Sequence, residues 1–326
     1  MKISVIFTGG TIGSKLHENS IGTDSAAPRE LLSRYRAASG DQMVFKTVEP
    51  YTILSENLTM SHIQALAQAI SEEQRVADTL IVTHGTDTLP YTAAALSYIM
   101  GLSEKPLVLV SSNYVLSDPR ANGVDNFRAA VDFLRSVPTA RGVYVAYRNG
   151  EGATQILRAS RLLPHLAPTD TVYTLNGTVA TWNNGSIQIS SAYTEQADKT
   201  APLSAKVLTK APKRILFLRA YPDMLFPCVT EDISAVLIET YHSGTLPTDS
   251  AALAAFTAQA KEKGIPVFAV GITGEKIYES ATHYPALGII PLPRLSPIAA
   301  YLKLHLALSN GLDPKEILSR PLGGDM

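Results

Sequence analysis

Two kinds of apolar pattern alternate along the first half of the chain. Short runs of apolar, largely β-branched residues read as strands at Ile3–Thr8, Tyr51–Leu54, Leu80–Thr83, Leu107–Ser111 and Val143–Tyr147. Longer segments of helical period lie between them, at Pro28–Arg36, Ser61–Glu73, Tyr91–Met100 and Asn126–Arg135. Pro90 suits the first turn of the third helix, where a missing N–H costs nothing. Ser61 followed by Gln64 fits a capping box for the second.

From about Ala192 to Pro212 the sequence becomes small and polar, as an interdomain linker does. The alternation then resumes, with strands predicted at Ile215–Ala220, Ala235–Glu239 and Val267–Val270. Helices are predicted at Asp249–Lys263, Pro297–Ser309 and Pro314–Ser319. Strand–helix alternation of this kind predicts an α/β protein of two domains. Residues 1–191 are expected to form the larger domain, a mostly parallel open sheet with flanking helices. Residues 192–212 are the expected linker, and 213–326 a smaller Rossmann-like α/β domain.

Composition narrows the function more than the fold. A length of 326 residues can bury two cores, and 45% hydrophobic with 17% charged residues is an ordinary globular profile. A formal net charge of −1 offers no basic footprint for nucleic acid. Cys228 is the only cysteine, which excludes an intramolecular disulfide and a multi-cysteine zinc site. The histidines show no HExxH spacing, and neither a metal nor a cofactor is expected. No stretch approaches the roughly 20 apolar residues of a membrane span. The chain opens on a strand pattern rather than a leader's apolar region, so a cytoplasmic location is expected.

Ligands of open α/β sheets bind where loops leave the carboxyl ends of the strands. Three such loops are rich in hydroxyl and carboxylate groups: Thr8-Gly9-Gly10-Thr11-Ile12-Gly13, Leu54-Ser55-Glu56-Asn57 and Thr83-His84-Gly85-Thr86-Asp87-Thr88. The first is neither GxGxxG nor a phosphate-binding P-loop. A tight turn alone would explain its glycines. Paired threonines there and a second threonine-rich loop favour a site in which backbone N–H groups are approached closely. A threonine hydroxyl needs a proton acceptor before it attacks. No GxSxG elbow is present, and His84 reads better as a support for its loop than as the base. Asp87 suits either a helix cap near Thr88 or a charge-assisted bond to a substrate ammonium.

Thr8-Gly9-Gly10-Thr11-Ile12 followed by His84-Gly85-Thr86-Asp87-Thr88 resembles the two threonine motifs of the bacterial-type asparaginase and glutaminase-asparaginase family, in the branch of cytoplasmic type I enzymes. The likeness extends over nearly the whole chain, including Ser55-Glu56 and the segment from Glu239 to Thr245. It implies hydrolysis of L-asparagine to L-aspartate and ammonia without a cofactor, with weaker activity on L-glutamine. It implies Thr11 as nucleophile, Thr86 as second catalytic threonine, and Asp87 as the carboxylate that holds the substrate α-amino group. Gly10, Ser55, Glu56 and Gly85 would complete the substrate site, Ser55 at the α-carboxylate. A homodimer or a dimer of dimers is expected, with no nucleic-acid or membrane partner.

Two departures accompany the likeness. Many family members carry a lysine beside the second threonine, and the stretch expected to supply it reads Phe133-Leu134-Arg135-Ser136-Val137. Arg135 stays protonated, so it would orient Thr86 rather than accept a proton. The region expected to hold the activating tyrosine, Glu18 to Thr23, has none; Tyr278 of a partner subunit is the substitute considered. Two other functions share these motifs. One is the glutaminase subunit of a tRNA-dependent amidotransferase, which usually carries an extra domain ahead of the first threonine loop. The other is a non-catalytic amino-acid binder.

Overall fold

The structure is a computed structural model that describes residues 1–18, 20–166, 168–191, 193, 201–210, 214–272 and 277–326. It divides into two compact units, Met1–Lys206 with Leu322–Gly324, and Val207–Pro321 with Asp325–Met326.

The first unit opens with β1 (Ile3–Phe7), the hairpin strands β2 (Ser14–His17) and β3 (Ser20–Thr23), α1 (Ala27–Ser39) and β4 (Lys46–Val48). There follow α2 (Met60–Glu73), β5 (Thr79–Thr83), α3 (Leu89–Met100), β6 (Leu107–Val110) and α4 (Gly123–Ser136). The strands β7 (Val143–Arg148), β8 (Thr154–Arg158), β9 (Ala180–Asn183) and β10 (Ser186–Ile189) complete it. Eight of these strands form one sheet in the order β10-β9-β8-β7-β6-β5-β1-β4. β4, β1, β5, β6 and β7 are mutually parallel, whereas β8, β9 and β10 each run antiparallel to their predecessor. The open sheet is therefore parallel at its centre and antiparallel along one side.

Both faces of this sheet are covered, which is why its central strands read as unbroken apolar runs. β1 and β5 are buried along their whole length. Ile81 of β5 faces the side of α1 and α4, where Leu31, Tyr35, Phe127 and Phe133 pack. Its neighbours Leu80 and Val82 face α2 and α3, against Leu66, Ile70, Ala93 and Leu96. Tyr35, Phe45 and Phe127 meet edge to face at 5.3–5.5 Å between centroids, an arrangement that adds about 0.5–1.5 kcal/mol per pair beyond burial.

The second unit contains β11 (Arg214–Arg219), β12 (Ile233–Glu239), α5 (Ala251–Glu262), β13 (Val267–Ile272), α6 (Glu279–Thr282), β14 (Ile289–Pro293), α7 (Pro297–Ser309) and α8 (Pro314–Ser319). Its four strands pair in chain order and all in parallel. Leu253 and Phe256 of α5 pack on one face, and Ala300 and Leu304 of α7 with Leu318 of α8 on the other. Lys303 of α7 is fully buried and pairs with Asp325 at 2.7 Å, while also donating to the Arg320 carbonyl.

Several predicted elements shift. Tyr51–Leu54 is not a strand but touches the sheet by a single bridge, Gly9 to Ile53. The edge strand is Lys46–Val48, too short and too exposed to show an apolar run. α2 starts at Met60 rather than Ser61, and its capping box is Thr59 with His62, whose Nδ1 accepts the Thr59 N–H at 3.2 Å. The expected linker lies partly outside the described residues; within it, Ala205–Lys210 form 3-10 turns.

Candidate active site

Strand order reverses at β1. The chain leaves β1 for β4 on one side and returns to β5 on the other, so the loops after β1 and β5 flank the crevice where open α/β sheets bind ligands. Thr11 follows β1, and Thr86 and Asp87 follow β5.

The first loop is held open by backbone bonds. Thr8 Oγ1 donates to the Thr83 carbonyl at 2.7 Å, tying the ends of β1 and β5 together. Gly9 and Gly10 have φ of +93° and +72°, a region closed to most side chains. Gly10 N–H donates to the Ile53 carbonyl at 2.8 Å, and the Gly10 carbonyl accepts from Gly13 N–H and Ser14 Oγ. Thr11 then begins a 3-10 turn over Thr11–Gly13 and stays half-buried. The Gly10 amide is thus already used, whereas the Thr11 N–H has no partner among the described residues.

The three loops meet at glycines. A Cβ on Gly10 would lie 2.2 Å from the Gly85 Cα, so the two threonine loops touch backbone to backbone. A Cβ on Gly85 would lie 2.3 Å from the Ser55 Cβ. Ser55 is buried, and its Oγ donates to the Asp87 carboxylate at 3.2 Å. Thr88 Oγ1 returns a bond to the Ser55 carbonyl at 2.9 Å. Gly10, Thr11, Ser55, Gly85, Thr86 and Asp87 therefore gather in one place. Glu56 stands beside Ser55 in the same 3-10 turn with its side chain exposed. Asp87 makes no cap bond to α3, and its observed partner is Ser55.

His84 is a support. Its Nδ1 lies 2.8 Å from the Gly85 carbonyl and its Nε2 2.8 Å from Thr92 Oγ1. A carbonyl only accepts, which assigns the proton to Nδ1 and leaves Nε2 accepting from the Thr92 hydroxyl. Burial pushes its pKa down to about 4, against a smaller opposing effect of the Gly85 carbonyl. The ring is neutral and its acceptor nitrogen is occupied, so it braces the loop.

Arg135 does not reach Thr86. α4 starts near the carboxyl end of β6 and runs back across the sheet to the start of the parallel β7, so its last turn lies at the opposite end of the strands. There Arg135 pairs with Asp41 at 2.5 Å and contacts Met43. The sequence offered no warning, because helix register alone does not reveal which end of the sheet a residue faces. The region of the absent tyrosine is the β2–β3 hairpin, with Leu16 opposite Ile21; Asn19 lies outside the described residues. Tyr278 is exposed and precedes α6 in the second unit.

One residue near the site carried no motif. Burial lowers the pKa of His165, between β8 and β9, against smaller opposing effects of Thr171 and Asp87. Among the described residues no cluster of three or more potential metal ligands occurs, and no helix is long and apolar enough to cross a membrane. A groove of about 780 Å³ between the carboxyl-terminal halves of α2 and α3 is lined by none of the residues of these loops.

An open α/β sheet with paired threonine loops at its switch point is the class of protein defined by the fold and site, and comparison with known proteins narrows it. Residues 2–191 match the family model described as Asparaginase, N-terminal. The chain belongs to the asparaginase family and has its amidohydrolase fold. It is 25% identical to a glutamyl-tRNA(Gln) amidotransferase subunit of Methanococcus maripaludis, covering 99% of this chain and 80% of that protein. The corresponding subunit of Pyrobaculum aerophilum is 24% identical over 100% of this chain and 80% of its own length. The fold is similar to that of the thermostable L-asparaginase of Thermococcus kodakarensis, with TM-score 0.81, 23% identity and coverage of 100% and 99%. L-asparaginase I of Vibrio cholerae follows at TM-score 0.75 and 23% identity, covering 100% of this chain and 98% of that one.

Proposed function

We propose that the protein hydrolyses L-asparagine to L-aspartate and ammonia, with Thr11 as nucleophile. The backbone contact of Gly10 with Gly85 carries this reading, because it leaves no side chain between the loop of Thr11 and that of Thr86 and Asp87. In the proposed cycle the Thr11 hydroxyl adds to the side-chain amide carbon, and the proton it loses passes to the leaving nitrogen. Ammonia departs from the tetrahedral intermediate and leaves an ester on Thr11. Water cleaves that ester to release aspartate and restore the hydroxyl. The free Thr11 N–H is suited to stabilise the developing oxyanion, as preorganised backbone donors do.

Asp87 takes the substrate ammonium and Ser55 the α-carboxylate, the bond between their side chains fixing the separation of the two subsites. Thr86 assists the proton transfers. Glu56 and Gly85 line the site beside them. The protein is proposed to work without cofactor as a homodimer or dimer of dimers, a state that light scattering reads. Ammonia release from L-asparagine and L-glutamine, compared as kcat/KM, tests the substrate. Higher efficiency on asparagine supports the proposal, and activity on glutamine alone refutes it. One methylene changes discrimination by only about 1–3 kcal/mol, so measurable glutamine hydrolysis is expected.

A second reading follows from the named relatives: an amidase subunit supplying ammonia to a tRNA-dependent amidotransferase. It requires a partner protein. Co-purification of a stoichiometric partner whose presence raises glutamine hydrolysis supports it over the first reading.

A further inference from the structure

Gly85 has to be a glycine, because the Ser55 side chain and the Gly10 backbone stand where a Cβ would lie. A glycine turns its peptides at little steric cost, so something else must fix which way the Gly85–Thr86 peptide faces. α3 supplies it. Ser97 of that helix donates its hydroxyl to the carbonyl one turn back, Ala93, at 2.8 Å, as hydroxyls inside helices commonly do. Thr92 does not: its Oγ1 lies 2.8 Å from His84 Nε2, and both side chains are buried. The other ring nitrogen, Nδ1, lies 2.8 Å from the Gly85 carbonyl. Two hydrogen bonds in series therefore run from a helix anchored in the core through Leu89, Ala93 and Leu96 to one peptide of the Thr86 loop.

The direction of each bond follows from the groups. A carbonyl only accepts, so the ring donates from Nδ1; an uncharged ring then accepts at Nε2, with the Thr92 hydroxyl as donor. In a trans peptide the N–H points opposite to the carbonyl of the same plane. With the Gly85 carbonyl on the imidazole, the Thr86 N–H points away from the ring, and it has no partner among the described residues. We propose that Thr92 and His84 are positioning residues, which hold the Gly85–Thr86 peptide with its carbonyl on the ring and its N–H free for the substrate amide. This rests on the hydrolase reading of the same site. Without the Thr92 hydroxyl nothing holds Nε2 as an acceptor. The proton is then free to move to Nε2 and the ring to turn, and either change takes the donor from the Gly85 carbonyl. A peptide that turns over puts a carbonyl where the N–H stood, an acceptor beside developing negative charge. The substrate anchors are joined separately, Ser55 Oγ to Asp87 at 3.2 Å, so the loss falls on kcat rather than on binding.

The test compares wild type with Thr92→Val, which keeps the shape and loses the hydroxyl, and with Thr92→Ser, which keeps the hydroxyl. Measured are kcat and KM for L-asparagine and the calorimetric affinity for L-aspartate. Long-range nitrogen–proton spectra, assigned with His84→Gln, show which ring nitrogen of His84 carries the proton and need no turnover. Thr92→Val is expected to lower kcat about 10- to 100-fold, short of the roughly 10²–10³-fold that removing an oxyanion donor outright costs. Its aspartate affinity should stay within about twofold, and its His84 proton should no longer reside on Nδ1 alone. Thr92→Ser should return kcat to within about threefold of wild type and restore the Nδ1 form. His84→Gln is read in the same assays, with the same split expected, should the valine variant fail to fold. A folded Thr92→Val protein with wild-type kcat overturns the proposal, as does one whose kcat and aspartate affinity fall together, or a serine variant as impaired as the valine one. A wild-type His84 with its proton on Nε2 overturns this inference alone. A wild type that neither hydrolyses asparagine nor binds aspartate overturns the hydrolase reading and this inference with it.

Discussion

The contact between the two threonine loops has a sharp consequence for Gly10→Ala. Gly10 has φ of +72° and ψ of −175°, a conformation essentially reserved for glycine and costing another residue about 1–3 kcal/mol. The new methyl would also stand 2.2 Å from the Gly85 Cα and 2.3 Å from its nitrogen. Carbon atoms rest about 3.5–4.0 Å apart, so the loops must part by more than about 1 Å, and the atoms in the way are backbone. Relieving such overpacking costs a further 1–3 kcal/mol or so. The expected destabilisation is about 2–6 kcal/mol in total. A displacement of that size between nucleophile and substrate anchor lowers kcat/KM by about 10²-fold.

Urea unfolding followed by tryptophan fluorescence measures the first quantity in the relevant unit. The single tryptophan, Trp182, lies on β9 of the first unit, with its Nε1–H bonded to Asp132 at 2.7 Å. Ammonia release measures the second. Gly13→Ala is the control: it lies in the same loop, its φ is not positive, and nothing stands within 4 Å of an added Cβ. It should behave as wild type. Gly10→Ala with wild-type kcat/KM and an unshifted urea midpoint would refute the backbone contact.

Three further outcomes follow from the same geometry. His84 has a pKa of about 4 in the fold against 6.5 when exposed, so the unfolded chain binds the extra proton and stability falls as pH drops through that interval. The loss reaches about 3 kcal/mol at 1.36 kcal/mol per pH unit, and a His84→Gln protein whose urea midpoint falls equally steeply would contradict it. Asp325→Asn leaves Lys303 charged inside the second unit without its partner carboxylate, a loss of about 3–5 kcal/mol; unchanged hydrogen-exchange protection of α7 would argue against it. Asp87→Asn removes a charge-assisted bond worth about 1.5–3 kcal/mol and should raise KM about 10- to 150-fold; an unaltered KM would count against the ammonium subsite.

Legibility in the sequence followed burial. β1, β5 and β6 are covered on both faces and were visible as unbroken apolar runs. β4 is an exposed edge of three residues, and β10 is mostly exposed, so neither had a run to show. The bridge from Gly9 displaced the expected strand at Tyr51–Leu54, since an apolar segment after Pro50 can pack without pairing. At the site, the glycines and hydroxyls of both threonine loops were visible because positive φ and short polar side chains are local demands. The meeting of Gly10 with Gly85 and the engagement of Arg135 with Asp41 depend on contacts remote in sequence. No local pattern encodes them.

The central claim is that Thr11, set against Thr86 and Asp87 by two glycines in contact, attacks the side-chain amide of asparagine. Ammonia release from L-asparagine by wild type, Thr11→Ser and Thr11→Ala, each first shown to share the wild-type urea midpoint, tests it directly. Turnover by wild type, residual turnover by Thr11→Ser and none by Thr11→Ala is the predicted result. A folded Thr11→Ala protein that releases ammonia at the wild-type rate would contradict it.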